Sequence, residues 1–310
     1  MAGSRAIKNR IKSTKNIQQI TKAMEAVSAV KMRRSESAAI KGRPYALYAL
    51  DILRKIEKST GADTKSLSPL FEKRNGGKSA IVVISSDKGL AGAFNANVTR
   101  KSLELLAFNH NADIIAVGKK GRDFFARKGS NVVKSFEQAG DYVTLAEAKH
   151  ISDFIISLFN EKRHDRIDVV YTSFVSALKQ DVVHRPLLPL DEKTLNTVVE
   201  NIIPATGKFS DLRGTNTSNN VEYKFEPSPA VIVEKLVPTL VELEIFHSIL
   251  EANASEHAAR MVAMKNASES AKDIIGSLTI KYNKERQAQI TKELIEITSG
   301  KEALEMQLAA

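Results

Sequence analysis

Apolar residues recur at helical spacing over both ends of this 310-residue chain, and in short unbroken runs only through its middle. Near the N-terminus, Ile17, Ile20, Met24 and Val27 follow a 3-4-3 spacing, with Ile7 and Ile11 leading in. That is one stripe on a helix, and it predicts the face that meets a partner helix. Small residues around it, such as Ala23, Ala26, Ser28 and Ala39, would allow close approach. The pattern predicts a helix from Ser4 to Lys41, a break or kink at Gly42 and Pro44, and a resumed helix through Leu47, Leu50, Leu53 and Ile56. The second stretch, Thr239 to Ser299, is longer: Leu243, Phe246, Leu250, Ala254, Ala258 and Met261 lead on through Met264 and Ala271 to Ile275, Leu278 and Tyr282. Some 60 residues of helix span roughly 90 Å, more than the width of a globular domain of this size. Two such helices, one at each end, predict an antiparallel coiled coil with a mechanical or interaction role. A four-helix bundle core is the competing reading.

Between them the pattern changes. Ser79 to Ser85 is a short β-branched apolar run that passes through Asp87-Lys-Gly-Leu-Ala-Gly92 into a helical segment ending at Phe108. Further strands are predicted at Asp113 to Val117, Asn131 to Phe136, Ile167 to Ser173 and Val182 to Leu188. Helices are predicted at Arg122 to Arg127 and Thr144 to Phe159. The alternation predicts a Rossmann-like, mostly parallel α/β domain over residues 78–203. It lies between coiled-coil helices at 1–58 and 226–310. Residues 59–77 read as a linker and 204–220, rich in Gly, Ser, Thr and Asn, as a mobile loop.

Charge sharpens the reading of the first helix. The chain carries a net charge of +10. Residues 1–43 hold eleven basic side chains against only Glu25 and Glu36, which is nearly the whole surplus. Such a helix seeks an acidic partner, and both nucleic acid and an acidic protein surface fit. The segment has no aromatic residue before Tyr45 that could stack on bases. The flanks of the second helix carry mixed charge, with Glu251, Glu256, Arg260, Lys265, Glu269 and Lys272, which predicts a solvated or enclosed shaft. Cysteine is absent, which removes disulfides, thiol catalysis and Cys-based zinc sites.

Catalytic signals are poor. Gly89 and Gly92 do not form a dinucleotide fingerprint, and Lys88 precedes the glycines instead of following them as in a phosphate-binding loop. The six histidines lack the spacing of a metal site. No catalytic residue, metal or cofactor is predicted.

Four blocks carry a family resemblance. IKSTKNIQQITKAMEAVSAVKMRRSE (residues 11–36), SSDKGLAGAFN (85–95), EHAARMVAMKNASESAKDI (256–274) and YNKERQAQITKELIEITSGKEAL (282–304) closely resemble, in this order, the γ subunit family of F-type ATP synthases. Ala91 departs from the cysteine found there in many relatives. The bacterial form is the better match, since the chain begins at the helix and lacks the paired-cysteine insert of the chloroplast form.

The resemblance implies a central-stalk rotor, itself making and breaking no bonds. Its terminal helices would stand inside a ring of three α and three β subunits, with the α/β domain on the ε subunit and the membrane ring of c subunits. It implies β-subunit contacts by Arg286, Gln287 and Thr291 near the tip, and by Met24, Lys31, Arg33 and Arg34 where the basic helix passes an acidic lever. Tyr223, Phe225 and Glu226 would touch the c-ring and ε. A peripheral position on the cytoplasmic face of the bacterial cell membrane follows, with no nucleic-acid partner.

Overall fold

The structure, a computed structural model, describes residues 2–60, 68–74, 77–108, 112–137, 143–190 and 225–309. Helix α1 (Ala2–Thr60) is followed by a single 3-10 turn (Pro69–Phe71). Then come β1 (Ser79–Ile84), α2 (Phe94–Phe108), β2 (Ala112–Val117), α3 (Lys119–Arg127) and β3 (Val132–Phe136). The chain continues through α4 (Leu145–Asn160), β4 (Arg166–Phe174) and β5 (Gln180–Leu188) to α5 (Pro229–Ala309). Residues 61–67, 75 and 76 of the linker at 59–77 and the whole of the loop at 204–220 fall outside the described residues. Among those described, no helix is long and apolar enough to cross a membrane.

The chain divides into two compact units, one of residues 28–260 and one of residues 1–27 with 261–310. Each unit pairs the early part of one terminal helix with the late part of the other, or the reverse, as two helices of opposite direction must.

The larger unit is built on a five-stranded sheet in the order β3-β2-β1-β4-β5, parallel except for β5, which runs back beside β4. Strand β1 is buried along its whole length, which is why its sequence is continuously apolar. Its alternate residues serve two cores. Ile81 and Val83 join Val98 of α2 and Phe125 of α3 on one face. Ala80, Val82 and Ile84 face Ile155 and Phe159 of α4, Leu53 and Ile56 of α1, and Val237 and Ile245 of α5 on the other. The expected sheet and its helices are therefore present. Helix α4 opens on a capping box, with the Thr144 hydroxyl accepting from Glu147 N–H and the Glu147 carboxylate accepting from Thr144 N–H.

Two expectations about helix ends are corrected. Helix α1 runs on through Gly42 and Pro44, with Ala39 buried before them and Ala49 and Leu53 after. Helix α5 starts not at Thr239 but at Pro229, with the Ser228 hydroxyl accepting from Val231 N–H at 3.4 Å, and carries Pro238 inside it. An internal proline costs about 3 kcal/mol. Burial of Val233, Val237, Leu240 and Val241 around it, at about 1.5–3 kcal/mol each, outweighs that.

A third correction concerns the seam of α1. Ile17, Ile20 and Val27 are 54%, 59% and 53% exposed, while Met24 and the leading Ile7 and Ile11 of that stripe are half-buried. The covered positions are Ile7, Ile11, Thr14, Gln18, Thr21 and Glu25 in the small unit, continued by Ser28, Met32, Ser35 and Ala39 in the large one. Their spacing alternates 4 and 3 throughout, a heptad row of mostly polar or small side chains. The polarity is affordable because the hydroxyls turn back on their own helix: Thr14 Oγ1 donates to Arg10 O at 2.9 Å and Thr21 Oγ1 to Gln18 O at 3.0 Å. On α5 the expected row is present, with Met264 and Ala271 buried and Ile275, Leu278 and Tyr282 half-buried.

The close passage of β1 under the start of α3 sets one test. Gly118 has φ +102°, and a Cβ there would stand 2.1 Å from the Ser85 carbonyl oxygen. Gly118→Ala is expected to lower stability by about 3 kcal/mol or more in urea unfolding. Gly129→Ala, at φ +74° but in open space, should cost only about 1 kcal/mol.

Candidate functional site: a turn clamped to the C-terminal helix

In the large unit the chain leaves β1 through a turn held by its own side chains. Ser86 N–H donates to Asn95 Oδ1 at 3.0 Å, Asn95 Nδ2 to Ser86 Oγ at 2.7 Å, and Ser86 Oγ to Lys88 O at 2.6 Å. Asp87 Oδ1 accepts from Lys119 N–H at 2.8 Å, which seats the carboxylate on the first residue of α3. Leu90 and Gly92, at φ 63° and 54°, complete the reversal, and Leu90 is left exposed at the tip.

This turn is bolted to α5 by Arg260, which is only 7% exposed. The guanidinium donates from Nε and Nη2 to Gly89 O at 3.3 and 3.2 Å, and from Nη2 to Glu256 Oε1 one helical turn back. Nη1 lies 3.1 Å from His257 Nδ1, and because an arginine can only donate, that nitrogen accepts and His257 carries its proton on Nε2. Burial pushes the Glu256 carboxyl above its usual range; Arg260 opposes that shift and Asp87 adds to it. The fixed fork of the guanidinium ties a backbone carbonyl of the turn to a carboxylate of the helix.

Of the two readings that the mixed charge allowed, a solvated or an enclosed shaft, Glu251, Glu256 and Arg260 follow the second, since all three are buried. Lys265, Glu269 and Lys272, in the small unit, do face solvent. The signal that separates the two groups lies in the neighbours. From Glu251 to Arg260 the only apolar residues are alanines, among them Ala252, Ala254 and Ala258, small enough for other elements to close in on the helix.

The residues singled out by the family resemblance fall into three places. Arg286, Gln287 and Thr291 all lie exposed on α5 in the small unit. Gln287 and Thr291 sit one turn apart, roughly 150–170° round the helix from the covered Tyr282 and Gln289. Thr291 Oγ1 donates to Gln287 O at 2.9 Å, which leaves its lone pairs outward. Arg286 flanks the covered row instead. On α1, Met24 shares its row with the exposed Ile17, Ile20 and Val27 in the small unit. Lys31 and Arg34, in the large unit, follow the same 3-and-4 spacing, whereas Arg33 lies on the other flank of the helix. Phe225 is half-buried and packs against the large core, Glu226 is exposed, and Tyr223 lies outside the described residues.

Comparison with known proteins decides the family. Residues 3–304 match the family model described as ATP synthase. The chain is 38% identical over 305 residues to the ATP synthase gamma chain of Desulforamulus reducens, covering 98% of this chain and all of the relative. The chain belongs to the ATP synthase gamma chain family. The gamma chain of Roseiflexus castenholzii is 39% identical over 310 residues, with 98% and 99% of the two chains covered. The fold is that of a chain in the Euglena gracilis mitochondrial ATP synthase, with a TM-score of 0.66 over 98% of this chain and 95% of the other at 18% identity. A chain of the Tetrahymena thermophila central stalk and c-ring gives a TM-score of 0.57, with 80% and 99% covered at 23% identity. The match to the family spans residues 3–304, a range that contains Arg260.

The clamp generates a test. Arg260→Ala leaves the Glu256 carboxyl buried without its cation, and should cost about 3 kcal/mol or more in urea unfolding of the full chain. Replacing both partners, Glu256→Gln with Arg260→Met, should recover a good part of that loss.

Proposed function

We propose that this chain is the rotor of its ATP synthase, turning with a proton-driven c-ring inside an α3β3 ring and biasing each β subunit among its catalytic conformations. The observation that carries this reading is the exposed apolar row of α1 together with the net positive charge of its first 43 residues. A face of Ile17, Ile20 and Val27 bare in the isolated chain needs a surrounding surface from elsewhere, and the cations beside it favour an acidic one. An asymmetric shaft meets each of three like subunits differently, and a binding element shifts conformational populations only through such differential contact. The chain itself breaks no bond in this scheme.

The contacts follow from that role. Met24, Lys31 and Arg34 pass the acidic lever of the β subunit, with Arg33 reaching a neighbouring surface from the other flank. Arg286, Gln287 and Thr291 hold a β-subunit loop near the tip, by directional donors that release as the shaft turns. Phe225, Glu226 and Tyr223 belong to the foot, against ε and the c-ring. Functionally the chain then divides into helix 1–58, base 78–203 and helix 226–310. The complex places it on the cytoplasmic face of a bacterial inner membrane, as a peripheral subunit.

Reconstitution tests the whole reading. The purified chain should co-assemble with α and β subunits in a one-to-three-to-three ratio and raise their ATP hydrolysis. No stable assembly, or equal hydrolysis without the chain, would refute it. Arg286→Ala with Gln287→Ala should slow ATP synthesis in membrane vesicles about tenfold, the effect of losing one to two charge-assisted hydrogen bonds. Met24→Lys should lower coupling by placing a charge in the apolar row, and unchanged proton pumping per ATP would count against that contact.

A further inference from the structure

Two turns before Glu251 on α5, another acid lies inside the large unit with less support than Glu256 receives. Glu244 is buried, and its facing cation is Arg185 of β5, whose Nη1 stands 3.7 Å from Glu244 Oε1, beyond hydrogen-bonding distance. The Arg185 guanidinium is drawn instead over the Tyr171 ring of β4, 5.2 Å from its centroid. Glu244 Oε2 and Arg185 Nη1 are both buried with no hydrogen-bond partner among the described residues. Ser248, one turn on along α5, and the fully buried Tyr171 bring hydroxyls to the same place. Glu251, paired with His247 at 3.5 Å, adds a second acid close to the Tyr171 phenol. His184, the neighbour of Arg185, points to the opposite face of the sheet and meets Asp168 at 3.4 Å.

We propose that Glu244 is a proton-binding site of the base: it holds its proton in the folded chain near neutral pH, and its ionisation loosens β5 from α5. One loosely placed guanidinium, shared with an aromatic ring and with a second acid nearby, does not replace the water a carboxylate loses here. A protonated carboxyl needs far less, a single acceptor for its one O–H, and the Ser248 and Tyr171 hydroxyls beside it are themselves buried with no hydrogen-bond partner among the described residues. Burial accordingly pushes the Glu244 carboxyl up, and Arg185 offsets only part of the rise. The Tyr171 phenol is likewise pushed well up, by burial first and then by Glu251, so it stays a neutral hydroxyl.

The sign follows from linkage. A carboxyl raised in the folded chain binds a proton that the unfolded chain has released, so its contribution is full below the unfolded value and is lost as pH rises through the folded one. Urea unfolding of the full chain between about pH 5.5 and about pH 8.5 reads this directly. Relative to Glu244→Gln, the wild-type unfolding constant should climb by up to tenfold per pH unit across the window, leaving the variant the more stable at the alkaline end. Parallel profiles, or a variant less stable than wild type at the alkaline end, overturn the proposal. Should Glu244→Gln fail to fold, infrared spectroscopy of the wild type at neutral pH supplies the same decision. A protonated-carboxyl stretch that moves in Glu244→Asp is expected; no such band, or one unmoved by that substitution, overturns it.

Discussion

A helix that must carry a twisting load through a domain cannot be gripped on one face alone, and in this chain α5 is not. From Glu244 to Ala258 every residue but Phe246 is buried, so strands β4 and β5, helices α1 and α4 and the turn after β1 leave no solvated side. Two kinds of contact hold it. Val237, Ile245 and Ile249 pack into the sheet, which resists separation but slides easily because dispersion has no direction. Arg260 to Gly89 O, and Ser255 Oγ to Thr172 O at 3.1 Å, are directional and resist rotation about the helix axis. The rotor role proposed above would rest on this division: apolar burial fixes where the helix lies, and a few polar bonds fix its azimuth.

The same demand explains why charge enters the core. A helix enclosed all round could have been wholly apolar, and replacing a buried ion pair by matched hydrophobic groups is often neutral or stabilising. An apolar barrel of side chains, though, would leave the azimuth set by packing alone. The Glu256–Arg260 pair gives the turn after β1 a fixed point on α5, and that turn in turn seats Asp87 on the start of α3. Position in the sheet and orientation of the helix are thereby linked through one guanidinium.

Much of this was legible in the sequence, and the failures have a common cause. The strands read correctly because β1, β2 and β4 are largely buried and each carries a short run rich in Ile or Val, Ile81–Ile84, Ile114–Val117 and Val169–Val170. The row on α5 read correctly because its covered residues, Met264, Ala271, Ile275 and Leu278, are apolar. The row on α1 misread because burial there fell on Thr14, Gln18, Thr21, Glu25 and Ser28, while Ile17, Ile20 and Val27 stayed outside. Periodicity finds the most hydrophobic face of a helix, and it cannot tell whether that face meets its own chain or another. The early start of α5 was recoverable: Ser228 followed by Pro229 is an N-cap and first-turn pair, which the proline at 238 overshadowed. The Arg260 clamp was not, since its main acceptor is a backbone carbonyl more than 170 residues away in sequence, and carbonyls leave no mark in the residue pattern.

That misreading of α1 bears on how the chain meets its partners. In the small unit the covered row of α1 mixes Ile7 and Ile11 with Thr14, Gln18, Thr21 and Glu25, so that row buries less apolar area than a wholly apolar seam would. Ile17, Ile20 and Val27 stay on the outside, which a monomeric protein would tolerate poorly over a long helix. The arrangement makes sense when the outer surface is the one under selection for contact. Strong hydrophobic pairing within the shaft would draw the isoleucines inward and leave a smooth polar cylinder, on which a surrounding ring could find no preferred face. With Ile17, Ile20 and Val27 outside, the small unit presents an apolar row on α1 and polar groups such as Gln287 and Thr291 on α5, and in the role proposed above that inequality of faces would let one turning element distinguish three like neighbours.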